Sequence, residues 1–142
     1  MFNGIIFKTG KVKEIIKKNN SIYVGIQTKI NFSKKDLGSS ICCDGVCLTI
    51  EKIVKKNIYF YISNETLNRT NFKTLKLNQI INLEKSISFG KDISGHFIQG
   101  HVDTVAKIKK IKFIDKAWIM NFEIIDKRLN KYLIEKASIL IN

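Results

Sequence analysis

The sequence predicts an all-β protein: a small six-stranded antiparallel barrel followed by an incomplete second copy of it. Three observations carry that prediction. Short runs of alternating apolar and polar residues recur between polar turn clusters, with no long helical period among them. Asp44-Gly45, the residue pair favoured in two-residue hairpin turns, stands between two apolar runs. The chain also begins again: GHVDTVAKI from Gly100 follows the pattern of GIIFKTGKV from Gly4, and SILIN from Ser138 echoes SICCD from Ser40. These pairs are offset by 96 and 98 positions. Solenoid repeats run to roughly 20–50 residues, so this spacing reads as a duplicated domain, with a first unit at 1–96 and an incomplete second at 97–142.

Taken in order, Ile5, Phe7 and Val12 suggest an opening strand with a kink or bulge at Gly10. After a turn at Lys17-Lys18-Asn19-Asn20, Ile22, Val24 and Ile26 alternate with Tyr23, Gly25 and Gln27, the period of a half-buried strand. Ser33-Lys34-Lys35-Asp36 matches a capping box and predicts a short helix before Gly38. In the hairpin, the two-residue loop sets Cys43 opposite Val46 and Cys42 opposite Cys47. Val46, Leu48 and Ile50 then share one face, and Cys47 and Thr49 the other. Residues 57–63 form the next strand, 64–70 a turn or single helical turn, and Leu75 to Glu84 the closing strand. The second copy supplies strands at 102–111 and 117–125 and a helix at 126–135, where Leu129, Tyr132 and Leu133 fall at helical spacing.

Composition narrows the function. With 44% hydrophobic residues in 142, the chain can bury a core. No apolar run approaches the ~18 residues of a membrane span, and the opening MFNGIIFKTG lacks a cleavable signal pattern. A cytoplasmic location without membrane partner is expected. The net charge of +13 comes from scattered lysines, with two arginines only, Arg69 and Arg128. Readers of nucleic acid favour arginine, so a solvated basic surface without nucleic-acid partner is the reading. Cys42, Cys43 and Cys47 are an odd set in a signal-free chain, hence thiols, and no second ligand pair suggests zinc. His96 and His101 are five apart, a spacing that puts them on opposite faces of a strand and argues against a shared metal. Spacing alone stops at a small β-barrel with a polar, thiol-bearing face.

Five segments go further. MFNGII at the N-terminus, DGVCLTI at 44–50, NETLNRTNF at 64–72, NLEKS at 82–86 and GHFIQGHVD at 95–103 occur in this order. Together they resemble the α-type riboflavin synthases, over the whole chain. The resemblance implies two similar six-stranded barrels, a C-terminal helix, a homotrimer and no cofactor. It implies dismutation of two molecules of 6,7-dimethyl-8-ribityllumazine, one giving a four-carbon unit to the other, to yield riboflavin and 5-amino-6-ribitylaminouracil. Each site would lie between the first barrel of one subunit and the second barrel of the next.

The same resemblance assigns residues. The ring would lie against Gly4, Ile5 and Ile6, with Cys47, Leu48 and Thr49 as a second wall. Tyr61, Ile62, Ser63, Asn64, Glu65 and Thr66 would bond the ring edge and ribityl chain. Gly100, His101 and Val102 would close the pocket, and Lys136 would reach a neighbouring subunit's site. Ser40 and Cys47 are implied as aids to nucleophilic addition, and His101 as proton shuttle for the acidic 7-methyl group. Two plainer readings stand beside these: Cys47 as an apolar filler, and Thr49 as a cross-strand pairing residue. Asp44 stands where the family usually has asparagine, and Ala137 where it has glycine. The stop at Asn142, ahead of the second copy's counterparts of 45–49 and 61–66, suggests a fragment with one complete pocket, itself inactive in dismutation. The other reading is a lumazine- or flavin-binding antenna protein of the same superfamily.

Overall fold

A computed structural model describes residues 1–90 and 92–142. Two compact units emerge: Met1–Val102 with Ile139–Asn142, and Asp103–Ser138. The first is built on six antiparallel strands, β1 (Lys8–Lys18), β2 (Ser21–Thr28), β3 (Ser40–Cys43), β4 (Val46–Val54), β5 (Asn57–Ile62) and β6 (Ile80–Lys85). They close into a barrel in the order β1-β2-β5-β4-β3-β6.

Strand alternation builds the interior. Val12, Val24, Ile26, Ile41, Cys43, Val46, Leu48, Ile50, Ile58, Phe60, Ile62, Ile81 and Leu83 are buried in one cluster. At about 25 cal/mol for each Å² of apolar surface removed from water, such a cluster is the main source of the barrel's stability. Turns join the strands where residues accept positive φ: Asn19 (φ 43), Asp44 (φ 44) with Gly45 (φ 79), and Lys55 (φ 55). The expected hairpin register is the observed one, Cys43 against Val46 and Cys42 against Cys47. Ser33 and Asp36 form the expected capping box on a 3-10 turn at Lys34–Asp36. Asn64–Arg69 is a short helix, α1, capped by Ser63.

Several boundaries differ from the sequence reading. The first strand starts at Lys8, and its bulge lies between Val12 and Glu14, not at Gly10. Gly10 serves packing instead: a Cβ there would run into Ile26 Cγ2 and stand 2.7 Å from Leu83 Cδ1. The closing strand starts at Ile80 rather than Leu75: residues 75–79 are a loop after a 3-10 turn at Asn71–Thr74, and the positive φ of Asn78 (φ 67) breaks any extended run there.

In the second unit, β7 (Ala106–Ile114) pairs with β8 (Ala117–Ile124), and the expected helix is a 3-10 segment, Lys127–Tyr132, capped by Asp126. The β7–β8 bulge falls between Ile108 and Lys110, and the turn residue Asp115 has φ 53. Each of these lies 96 positions after its counterpart in the β1–β2 hairpin. Positive φ falls on Lys136 (φ 63) and not on Ala137, so the glycine-to-alanine change meets no left-handed backbone.

Candidate functional site

Strand alternation that turns Val46, Leu48 and Ile50 into the barrel turns Ser40, Cys42, Cys47 and Thr49 outward. Ser40 is paired with Thr49, and Cys42 with Cys47, so two hydroxyls and two thiols share one outer patch of β3 and β4. Thr49 is exposed, Ser40 and Cys47 are half-buried and Cys42 is buried. Burial, reinforced by the nearby Glu84 carboxylate, pushes the Cys42 thiol up to about 12. Leu48 points into the core at 5% exposure and offers the outer face its backbone only.

Beside this outer face, over β6, lies the leading segment. Residues 1–7 stand outside β1 and make a single antiparallel bridge, Phe2 with Ile98. Phe2 N–H donates to the Ile98 carbonyl at 2.8 Å, Ile98 N–H returns a bond to Phe2 at 3.0 Å, and His96 N–H donates to the Asn3 carbonyl at 3.1 Å. The buried Glu84, next to Cys42 across the β3–β6 pair, fastens the segment from below. Its carboxylate accepts the N–H of Asn3 at 2.6 Å and of Gly4 at 3.1 Å. Gly4 has φ +76, and a Cβ there would stand 2.5 Å from Ile98 Cδ1. Asn3 Oδ1 is a buried acceptor without a hydrogen-bond partner among the described residues.

The segment paired with the N-terminus continues to β4. Cys47 N–H donates to the Gly100 carbonyl at 2.8 Å. Gly100 has φ +75 and lies so near the strand that a Cβ would be 3.0 Å from both Cys47 Cβ and Cys47 N. One short stretch, 96–100, therefore ties the Gly4 region to the Cys47 strand and delivers His101 to that junction. His101 is exposed, while Val102 packs partly against the core. Residues 61–66 lie at the same end of the β4–β5 pair as 47–49, since the two strands run antiparallel through Ile50 and Phe60. Tyr61 packs against Tyr23 on the outside, ring centroids 5.3 Å apart and the planes tilted by 58°, and Ile62 is buried in the core. Ser63 and Thr66 share a hydroxyl contact of 3.1 Å, Asn64 is exposed, and Glu65 pairs with Arg69. Ile5 is half-buried and Ile6 is exposed at 41%. Lys136 belongs to the second unit.

Residues 3–86 match the model of the lumazine binding domain family. Over its whole length the chain is 34% identical to a riboflavin synthase of Photobacterium leiognathi and 32% identical to one of Buchnera aphidicola, covering 65% and 69% of those proteins. The chain belongs to the riboflavin synthase family. It spans about 65% of the length of the Photobacterium relative. Among solved structures it resembles LumP complexed with riboflavin (TM-score 0.76, 27% identity, 94% of this chain and 72% of that one). It also resembles LumP complexed with 6,7-dimethyl-8-(1'-D-ribityl) lumazine (TM-score 0.73, 26% identity, 89% and 71%).

For this family member, sequence reasoning missed Glu84, Phe2 and Ile98 as parts of the site's frame. Glu84 follows the inward Leu83 and so reads as an ordinary solvent-facing strand residue. Only the 1–4 segment folding over it turns that outward position into a buried one at 5% exposure. Phe2, fully buried, likewise reads as a floppy terminus until its bridge to Ile98 is known. No metal-binding group of three or more His, Cys, Asp or Glu side chains occurs among the described residues.

Proposed function

We propose that this chain carries the first lumazine-binding unit of a riboflavin synthase, serving the dismutation of two 6,7-dimethyl-8-ribityllumazines to riboflavin and 5-amino-6-ribitylaminouracil. The observation that carries this reading is the Cys47–Gly100 backbone bond together with the Phe2–Ile98 bridge. Those contacts draw together the three segments whose sequences resemble the family's ring-binding segments. In the proposed complex a flat bicyclic ring lies over the outer face of β4, walled by 4–6 on one side and 47–49 on the other. Residues 61–66 bind its edge and ribityl chain, Ile62 through its backbone, and residues 100–102 close over it. The LumP complexes with lumazine and riboflavin support such ligands for this fold.

The chemistry follows from what these groups can do. Removing a proton from the 7-methyl group spreads negative charge into the ring carbonyls, where preorganised backbone N–H donors stabilise it. Imidazole is the side chain suited to carrying that proton near neutral pH, which is the role of His101. Ser40 and Cys47, outward on adjacent strands, supply a hydroxyl and a thiol for addition at the donor lumazine. Holding two flat reactants face to face adds up to roughly 7–11 kcal/mol of barrier lowering.

Residues 97–142 are read as the start of a second copy. Its support is the recurrence, 96 positions on, of the hairpin bulge, the turn residue with positive φ, and a glycine of φ near +75 at Gly4 and Gly100. A cytoplasmic homotrimer, with Lys136 reaching a neighbour's site, is the assembly this reading implies. Exposed apolar residues on β7 and β8, Trp118 at 66% among them, support burial against further protein.

Lumazine fluorescence tests the pocket, and deuterium exchange at its 7-methyl group tests the chemistry. Titration should change the ligand's fluorescence and saturate, and the bound ligand should exchange its methyl protons faster than free ligand. His101→Ala should retain binding and slow that exchange by roughly 10²–10⁴-fold, the usual weight of general acid–base help. Binding without any acceleration would favour the reading as a lumazine- or flavin-binding protein without dismutation. No fluorescence response would refute the pocket.

A further inference from the structure

Cys42 and Cys47 oppose each other across the hairpin. Antiparallel partners alternate between pairs that exchange both backbone hydrogen bonds and pairs that exchange none. A two-residue loop makes Cys43–Val46 the first kind, so Cys42–Cys47 is the second. In keeping with this, Cys47 N–H donates to Gly100 rather than to Cys42. Non-bonded pairs bring Cα atoms to about 4.5 Å, inside the roughly 4.4–6.8 Å window of a disulfide. Their side chains also leave the sheet on one face. Cys43 points the other way, into the core, at 0% exposure.

We propose that Cys42 and Cys47 are a dithiol modification site, oxidised by hydroperoxides to a cross-strand disulfide that withdraws the Cys47 thiol from the ligand face. Its effect on ligand rests on the pocket reading above; the disulfide itself does not. Half-buried Cys47 is the sulfur a small peroxide can reach, and buried Cys42 is the resolving partner. Cys47 sulfur attacks the terminal peroxide oxygen, the O–O bond breaks, the Cys47 proton goes to the departing oxygen, which leaves as water or an alcohol, and a sulfenic acid forms. Cys42 sulfur then attacks Cys47 sulfur, the S–O bond breaks, and the Cys42 proton goes to the departing hydroxide as water. Two thiols lose two electrons, and the peroxide gains them. Burial and the Glu84 charge keep Cys42 protonated, so the second step is the slow one. Once formed, the bond would hold the Cys47 sulfur toward β3.

The test treats the chain with hydrogen peroxide and reads its mass without reductant. A loss of about 2 Da, reversed by dithiothreitol, is expected. Cleavage before Asp44 should leave the peptide ending at Cys43 joined to the one carrying Cys47. Cys43→Ala should still cross-link. Cys42→Ala should instead accumulate a dimedone-trappable sulfenic acid, and Cys42→Ser replaces it should the alanine variant fail to fold. A cross-link that survives in Cys42→Ala, or native chain oxidised at Cys47 with no cross-link, would overturn the proposal. Lumazine titration of both forms separates the two readings. Oxidised chain should bind about tenfold more weakly or worse, and equal binding sinks the control of the pocket. Reduced chain that fails to bind lumazine sinks the pocket reading, while the mass result still decides the dithiol.

Discussion

Gly100 carries two constraints on one residue: a left-handed backbone and a strand 3.0 Å from where its Cβ would be. Gly100→Ala should cost about 1–3 kcal/mol of stability, read by denaturant unfolding, and should weaken lumazine binding because the 100–102 segment shifts. Asp44 makes a different point. Burial raises its pKa despite the Asn82 N–H and the Asn142 side chain that favour the carboxylate. The folded state thus holds this proton more tightly than the unfolded chain does, so the group favours folding as pH falls and opposes it once ionised. Asp44→Asn keeps an acceptor for Asn82, tolerates the turn's positive φ, and carries no charge to desolvate. The variant should be the more stable at neutral pH, and its advantage should shrink on acidification as Asp44 becomes protonated. Thermal melts across pH 4–7 would check both halves. The Asp-for-Asn difference was legible in the sequence, whereas its electrostatic sign needed the burial of the hairpin tip.

Elements show the same division. The β3–β4 register could be read directly, because a two-residue loop leaves one pairing and strand alternation then assigns each face. The β1 boundary could not: Gly4 to Phe7 has the composition of a strand, yet these residues lie outside the ladder, and Glu84 binds the Asn3 and Gly4 N–H groups instead. Those bonds make a specific prediction for β6. Glu84→Leu strands two N–H donors and should cost roughly 1–3 kcal/mol, with faster amide exchange at Asn3 and Gly4 than elsewhere. Glu84→Gln, which keeps an acceptor, should lose less. Exchange at Asn3 and Gly4 unchanged from the native chain in both variants would show that the leading segment is held by its backbone bonds to other segments, those to His96 and Ile98 among them, without Glu84.

The whole chain carries a net charge of +13, and the ion pairs Glu65–Arg69, Asp36–Lys85, Lys109–Glu123 and Asp126–Arg128 are all at least partly exposed. Such pairs contribute little, about 0–1 kcal/mol each, while the unbalanced lysines repel one another in the compact state. Raising salt from low ionic strength to about 0.15 M shortens the Debye length to about 8 Å, so the melting temperature should rise. A fall would mean that attractive pairs outweigh the repulsion.

By itself the sequence determined the all-β class, the hairpin register, the repeat spacing and the words that mark the family, since periodicity, turn chemistry and motif order are local properties of a chain. Only the tertiary structure decided the strand order β1-β2-β5-β4-β3-β6, the burial of Glu84 on an outward position, and the bond from Cys47 to Gly100. Each of these joins residues far apart in the chain. No local pattern records such contacts, because they form only when the closed barrel brings those segments within hydrogen-bonding distance.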